Sequence, residues 1–97
     1  MNWNSKENQT LVRAVLALKT PDEVRRFFRD LMTQGEIEEF GKRLKTAELL
    51  TNKVPYSIIE KQTGLSSTTI ARVSKWLNGK EGGYKTVINR LHRHDSI

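Results

Sequence analysis

The sequence predicts an all-α fold in a single domain spanning residues 1–97, and three observations predict it. Apolar side chains recur at helical spacing, with little of the strict alternation a half-buried strand needs. Helix start and stop residues divide the chain into six segments with short connections. No repeat of 20 to 50 residues and no low-complexity stretch interrupts them.

The first segment, about residues 6 to 18, carries Leu11, Val12, Val15, Leu16 and Leu18 on one broad face. Thr20-Pro21-Asp22-Glu23 opens the second: a threonine cap, a proline in the first turn and a glutamate three residues after the cap answer the orphan amides of a helix start. Its apolar face is Val24, Phe27, Phe28, Leu31 and Met32. Thr33 with Glu36 repeats that pairing and starts a long third helix, expected to run to about Asn52 with Ile37, Phe40, Leu44, Ala47 and Leu50 inward. Val54-Pro55 breaks the pattern, and a short fourth helix with Ile58 and Ile59 ends near Gly64. A fifth runs from Ser66 to about Leu77, with Asn78-Gly79 expected as a left-handed cap. After Gly82-Gly83, a sixth places Tyr84, Val87, Ile88 and Leu91 on one stripe and leaves Lys85, Arg90 and Arg93 for solvent or phosphate.

Composition narrows the function. With 36% apolar and 29% charged residues the chain reads as a soluble globular protein too small for a large enzyme. A domain of this size buries only about two-thirds of its unfolded surface, so a homodimer with a shared core is expected. The absence of cysteine excludes a disulfide framework, a thiolate metal site and a cysteine nucleophile, and suits a reducing cytoplasm. The longest nearly apolar stretch, residues 11–18, is far short of the roughly 20 residues a membrane span needs, and no signal peptide is expected. The net charge of +6 is uneven: residues 1–41 hold six basic and seven acidic side chains, residues 42–97 eleven and four. Such a one-sided excess reads as the footprint of a polyanion-binding surface, with ordinary solubilising charge as the alternative.

The strongest local signal lies at about residues 55–77, where the order of residues has the form of a helix-turn-helix. Two helices meeting at a steep angle need a corner residue that accepts positive φ, and Gly64 supplies it. Ile59, Leu65, Ile70 and Val73 are apolar where the helices must pack, while Ser66, Ser67, Thr68, Thr69 and Arg72 stay polar. A recognition helix needs that division: a buried stripe to fix its angle, and short donors and acceptors at its N-terminus to reach base edges in the major groove. Ser66, Ser67, Thr68, Thr69 and Arg72 are therefore the expected base-reading residues, with Lys61, Lys75 and Lys80 on phosphates and Lys85 nearby. Glu60 stands where a small residue often allows close packing, and must be exposed or paired.

On these residues the chain resembles the Trp-repressor family of bacterial helix-turn-helix regulators. The resemblance is strongest from Gly41 to Val73, through Gly41-Lys42-Arg43, Glu48-Leu49-Leu50 and the run from Ile59 to Arg72, and it extends more loosely over all six helices. Within the family the chain is most similar to the uncharacterised Trp-repressor-related branch. The resemblance implies an intertwined homodimer in which the first three helices and the last interlock with the partner, while the fourth and fifth form a DNA-reading head. Two such heads, about one helical turn of DNA apart, would read a palindromic operator in double-stranded DNA. It also implies a cytoplasmic transcriptional regulator, with repression the expected sign.

The same comparison exposes departures. The two arginines that embrace the ligand in the tryptophan-dependent repressor align with Arg43 and Arg72, one gap being allowed between the third and fourth helices. A glycine after the second of them is Val73 here, and a serine three residues further on is Trp76. Both add bulk in the candidate effector cleft formed by Arg43, Arg72, Val73 and Trp76, so tryptophan is not the expected corepressor; the alternative is that Trp76 is ordinary core. No cofactor is expected, and an effector of another class is left open. Basic residues of the first motif helix are replaced by Ser57 and Glu60, so the trp operator is not the expected target.

Other constellations carry less. His92 and His94, two residues apart on a helix, would diverge instead of sharing a metal, and Glu36, Glu38 and Glu39 suit the favourable charge of a helix start better than acid–base catalysis. Gly79-Lys80-Glu81-Gly82-Gly83 lacks the Ser/Thr of a nucleotide-binding loop. Trp3 is expected as an apolar plug, with a DNA-touching arm as the alternative. Two further function classes remain: a helical module docking a protein partner, and a nonspecific nucleic-acid binder acting by charge alone. A steep salt dependence without sequence preference marks the second, and weak binding to any nucleic acid marks the first. No enzymatic activity is expected.

Overall fold

Six helices form in the order read from the sequence: α1 (Lys6–Ala17), α2 (Pro21–Leu31), α3 (Gln34–Thr51), α4 (Tyr56–Thr63), α5 (Ser67–Leu77) and α6 (Gly83–Asp95). The computed structural model describes residues 1–95, and side chains as far as Arg93. The chain divides into two compact units, residues 1–37 and the residues from Glu38 onward.

The first unit holds α1, α2 and the first turn of α3. Ser5 caps α1 by accepting the Asn8 amide at 3.2 Å. At α2 the Thr20 hydroxyl accepts the Glu23 amide at 3.1 Å, and the Glu23 carboxylate accepts the Lys19 amide at 2.8 Å. Two of the orphan donors around this helix start are thereby satisfied, as Thr-Pro-x-Glu predicts. The pairing is reciprocal at α3, where Thr33 accepts from the Glu36 amide at 3.1 Å and Glu36 accepts from the Thr33 amide at 2.9 Å. Neither α1 nor α2 buries a residue fully, and Leu11, Val12, Val15, Leu16 and Leu31 remain exposed. Trp3 is also exposed.

In the second unit a core forms around Ala47 of α3, Val73 and Leu77 of α5 and Ile88 of α6, with Leu44, Leu50 and Tyr84 packed against it. Ile59 and Ile70 are wholly buried. Phe40, expected inward on α3, is exposed. The apolar period that placed it there reports only a face of the helix, and within this chain the core is reached from Leu44 onward.

One connection has a turn the sequence did not specify, and another departs from expectation. The α3 end is closed by Lys53 at φ 61°, a left-handed non-glycine residue. Its amide donates to Leu50 O and that of Val54 to Leu49 O, both at 3.0 Å, the hydrogen-bond pair of a Schellman turn. Asn78 and Gly79, expected to be left-handed, are not: Asn78 has φ −96°, and the positive φ falls on Gly82 at 71°, just before α6. Gly79 is instead a point of close approach, since a Cβ there would lie 3.3 Å from Lys75 O and 3.4 Å from Trp76 O.

Candidate nucleic-acid interface

α4 and α5 pack against each other around a corner that the sequence specifies residue by residue. Gly64 takes φ 74° and its amide donates to Glu60 O at 2.9 Å, ending α4. Thr63, which sequence reasoning passed over, is buried and closes the corner: its hydroxyl donates to Ile59 O at 2.7 Å and accepts the Leu65 amide at 3.2 Å. A buried threonine next to a glycine is weak signal in a sequence, because its partners are backbone groups. Ser66 then starts α5 by accepting the Thr69 amide at 3.2 Å, and its hydroxyl lies 3.1 Å from that of Thr69.

Burial separates the two faces of α5. At 3.6 residues per turn, Ile70, Val73 and Leu77 form one stripe, and all three are buried. Thr68, Arg72 and Lys75 fall on the opposite side and are exposed. Ser67 is exposed on one flank, and Thr69 is half-buried on the other. Of the expected base-reading residues, then, Thr68 and Arg72 hold the centre of the open face, Ser67 its edge, and the hydroxyls of Ser66 and Thr69 serve the helix start. Arg72 makes no ion pair among the described residues, which leaves its fork of donors available.

The expected phosphate ligands Lys61, Lys75 and Lys80 are all exposed. Lys75 and Lys80 come together on one groove, about 780 Å³, whose floor is Leu44, Trp76, Tyr84 and Val87. Lys61 belongs to the last turn of α4 and does not line that groove. Glu60 is exposed.

Of the residues of the expected effector cleft, Val73 alone is withdrawn from the surface. Val73 is wholly inside, against the core. Arg43 and Trp76 do meet: the Arg43 guanidinium carbon lies 5.7 Å from the Trp76 ring centroid and also 5.7 Å from that of Phe40, within cation–π range. Arg43 Nη2 donates to Glu39 Oε2 at 2.8 Å, while Nε is covered and has no hydrogen-bond partner among the described residues. Trp76 keeps 47% of its surface exposed, so it is not ordinary core within the chain. Burial holds the Tyr84 hydroxyl above its usual pKa, partly offset by the charge of Arg43. Sequence periodicity could not find the Arg43–Trp76 contact, which joins α3 to α5 across the fold.

No group of three metal-ligating side chains occurs among the described residues. His92 stands 3.9 Å from Glu48 of α3. The side chain of His94 lies outside the described ones. No described helix is long and apolar enough to cross a membrane.

A glycine corner, a buried stripe and an open polar face on a basic half define a helix-turn-helix protein. The model of the Trp repressor protein family matches residues 6–92, and the chain belongs to that family, whose members are DNA-binding regulators and not enzymes. The chain is similar to the uncharacterized protein YerC of Bacillus subtilis (strain 168), 38% identical over 86 residues that cover 89% of this chain and 83% of YerC. Among solved structures it is similar to a TrpR-like protein from Eubacterium eligens ATCC 27750, with a TM-score of 0.87, 36% identity and 93% of each chain covered. A provisionally assigned Trp repressor from Staphylococcus aureus gives the same TM-score at 29% identity, with 95% of each chain covered.

Proposed function

We propose that this protein is a sequence-specific regulator that binds a palindromic operator in double-stranded DNA as a homodimer and represses transcription in the cytoplasm. One observation carries the reading: Thr68, Arg72 and Lys75 stand exposed on α5 directly opposite the stripe that anchors it. Arg72 and Thr68 supply base-edge donors and acceptors, Ser67 and the start of α5 approach the backbone, and Lys61, Lys75 and Lys80 hold phosphates. Family membership and the net charge of +6 support the same partner.

The homodimer is supported by α1 and α2, whose apolar residues find no full cover within the chain. In a two-fold assembly those faces cover each other. Tryptophan is not the corepressor in this reading, because the chain already sets an indole, that of Trp76, against Arg43. An effector of other chemistry is compatible with the reading.

The test is selection of random duplex DNA by the purified protein at about 0.15 M salt, with and without L-tryptophan. One recovered palindrome, the same in both arms, is the expected result. Recovery of no sequence sinks the specific-regulator reading, and tryptophan-dependent recovery sinks the claim about the corepressor. On the recovered site, Arg72→Ala should cost about 1–3 kcal/mol, whereas Lys75→Ala should weaken all duplexes alike.

A further inference from the structure

Two lines of contact hold α5 in its unit, and they differ in mechanical effect. The first is the buried stripe of Ile70, Val73 and Leu77, which lies along one side of the helix, where α4 and α6 pack against α5. Contacts along a single line resist sliding better than they resist roll about the helix axis. The second line stands about 100° around the helix from the first, where Trp76 meets Arg43 of α3. Arg43 has further partners on α3. Glu39 holds Nη2 at 2.8 Å, the Phe40 ring stands 5.7 Å from the guanidinium carbon, and Nε is covered without an acceptor among the described residues. The guanidinium thus has a carboxylate and two aromatic rings around it, and the rings attract its charge.

Trp76 lies one helical turn beyond Arg72 on the same flank of α5. Any roll that loosens Trp76 from Arg43 therefore swings Arg72, Thr68 and Lys75 together. We propose that Arg43 and Trp76 form an intramolecular clasp that fixes the roll of α5 and so aims its open face at the operator. Both are positioning residues and neither touches DNA. The proposal rests on the reading of α5 as the DNA-reading helix.

The experiment uses the full chain with Arg43→Met, Arg43→Lys, Trp76→Ala, Trp76→Phe and the double variant Arg43→Met/Trp76→Ala. It measures affinity for the selected operator, affinity for random duplex, and amide hydrogen exchange along α5. Trp76→Ala, Arg43→Met and Arg43→Lys should each weaken operator binding about tenfold and random-duplex binding less than about twofold. Trp76→Phe, which keeps a ring for the guanidinium, should stay within about threefold of the parent, and the double variant should be no worse than either single one. Arg43→Lys separates a planar, stacked cation from charge alone. Equal losses on both DNAs, additive losses in the double variant, or an unchanged operator affinity would overturn the clasp. If the parent protein selects no operator, the regulator reading fails separately and hydrogen exchange decides the clasp. Residues 72–77 must then exchange faster in Arg43→Met and Trp76→Ala but not in Trp76→Phe, and unchanged exchange overturns it.

Discussion

The two units treat their apolar residues in opposite ways. From Glu38 onward, the chain buries Ile59, Ile70, Val73, Leu77 and Ile88 with side chains of its own. In the first 37 residues α1 and α2 bury nothing fully, and Leu16 is left 79% exposed. Both regions have equally explicit helix punctuation, with caps at Ser5, Thr20, Thr33 and Ser66. Capping decides where a helix begins, whereas only burial makes it stable, and isolated helices of about a dozen residues are marginal in water. The half that reads DNA in the proposed function thus has a core of its own within a single chain, although Phe40, Trp76, Val87 and Leu91 stay exposed there, and the half without a buried residue needs a second surface.

The sharpest test of that contrast pairs one substitution from each unit. Ile70→Ala should cost about 2–5 kcal/mol at every protein concentration, because its cavity forms inside one chain. Leu16→Asp should cost little if the single chain is the folded species, but should destabilise in a concentration-dependent way if α1 is covered by a partner. Urea unfolding at about 1 and about 100 μM, with sedimentation on the same samples, separates the two. A Leu16→Asp protein that unfolds like the parent at both concentrations breaks the comparison, and a parent that sediments as a monomer breaks the dimer.

How much of this was legible depends on how far along the chain each cause acts. Thr20-Pro21-x-Glu23, Thr33 with Glu36, and Gly64 act within four residues, and the structure starts or stops a helix at each. The anchoring stripe of α5 was equally open, because it is a single helical period. Phe40 misled, since its period marks a face without saying what covers it. Asn78-Gly79 misled for a different reason: glycine there serves the close approach to Lys75 O and Trp76 O and not a left-handed φ, and composition cannot tell those uses apart. The Arg43–Trp76 contact lay beyond periodicity, because it joins α3 to α5, and only the family resemblance had put the two residues in one cleft.

A smaller effect tests the start of α3, where one unit passes into the other. Thr33→Ala removes the hydroxyl that accepts the Glu36 amide and should cost about 0.5–2 kcal/mol. The same cap holds the Glu36 carboxyl below its ordinary value of 4.5, mainly through the Thr33 amide and then its hydroxyl. A carboxylate with a lowered folded pKa contributes fully above 4.5, and that contribution fades as pH falls through the lowered value. Stability should therefore drop on acidification below about 4.5, less steeply in Thr33→Ala than in the parent. Equal slopes between pH 5 and 3 would show that the pairing does not operate in solution.

The smallest expected effect concerns the end of the same helix. Lys53 holds φ 61° with a Cβ that crowds the backbone there, a conformation glycine takes freely. The Schellman hydrogen bonds from Lys53 and Val54 to Leu50 and Leu49 are made by the backbone, so they survive any change of side chain that keeps the amide. Lys53 is exposed, and its substitution removes little packing. Lys53→Gly should accordingly stabilise the protein by about 0.5–1 kcal/mol, the relief of strain outweighing the extra freedom glycine gives the unfolded chain. Lys53→Ala, which keeps the Cβ and loses only the charge, should gain nothing. Because this turn lies wholly in the unit that has its own buried core, the gain should be the same at high and low protein concentration. A gain that appeared only at high concentration would place the α3 end in the dimer interface and redraw the boundary between the two regions.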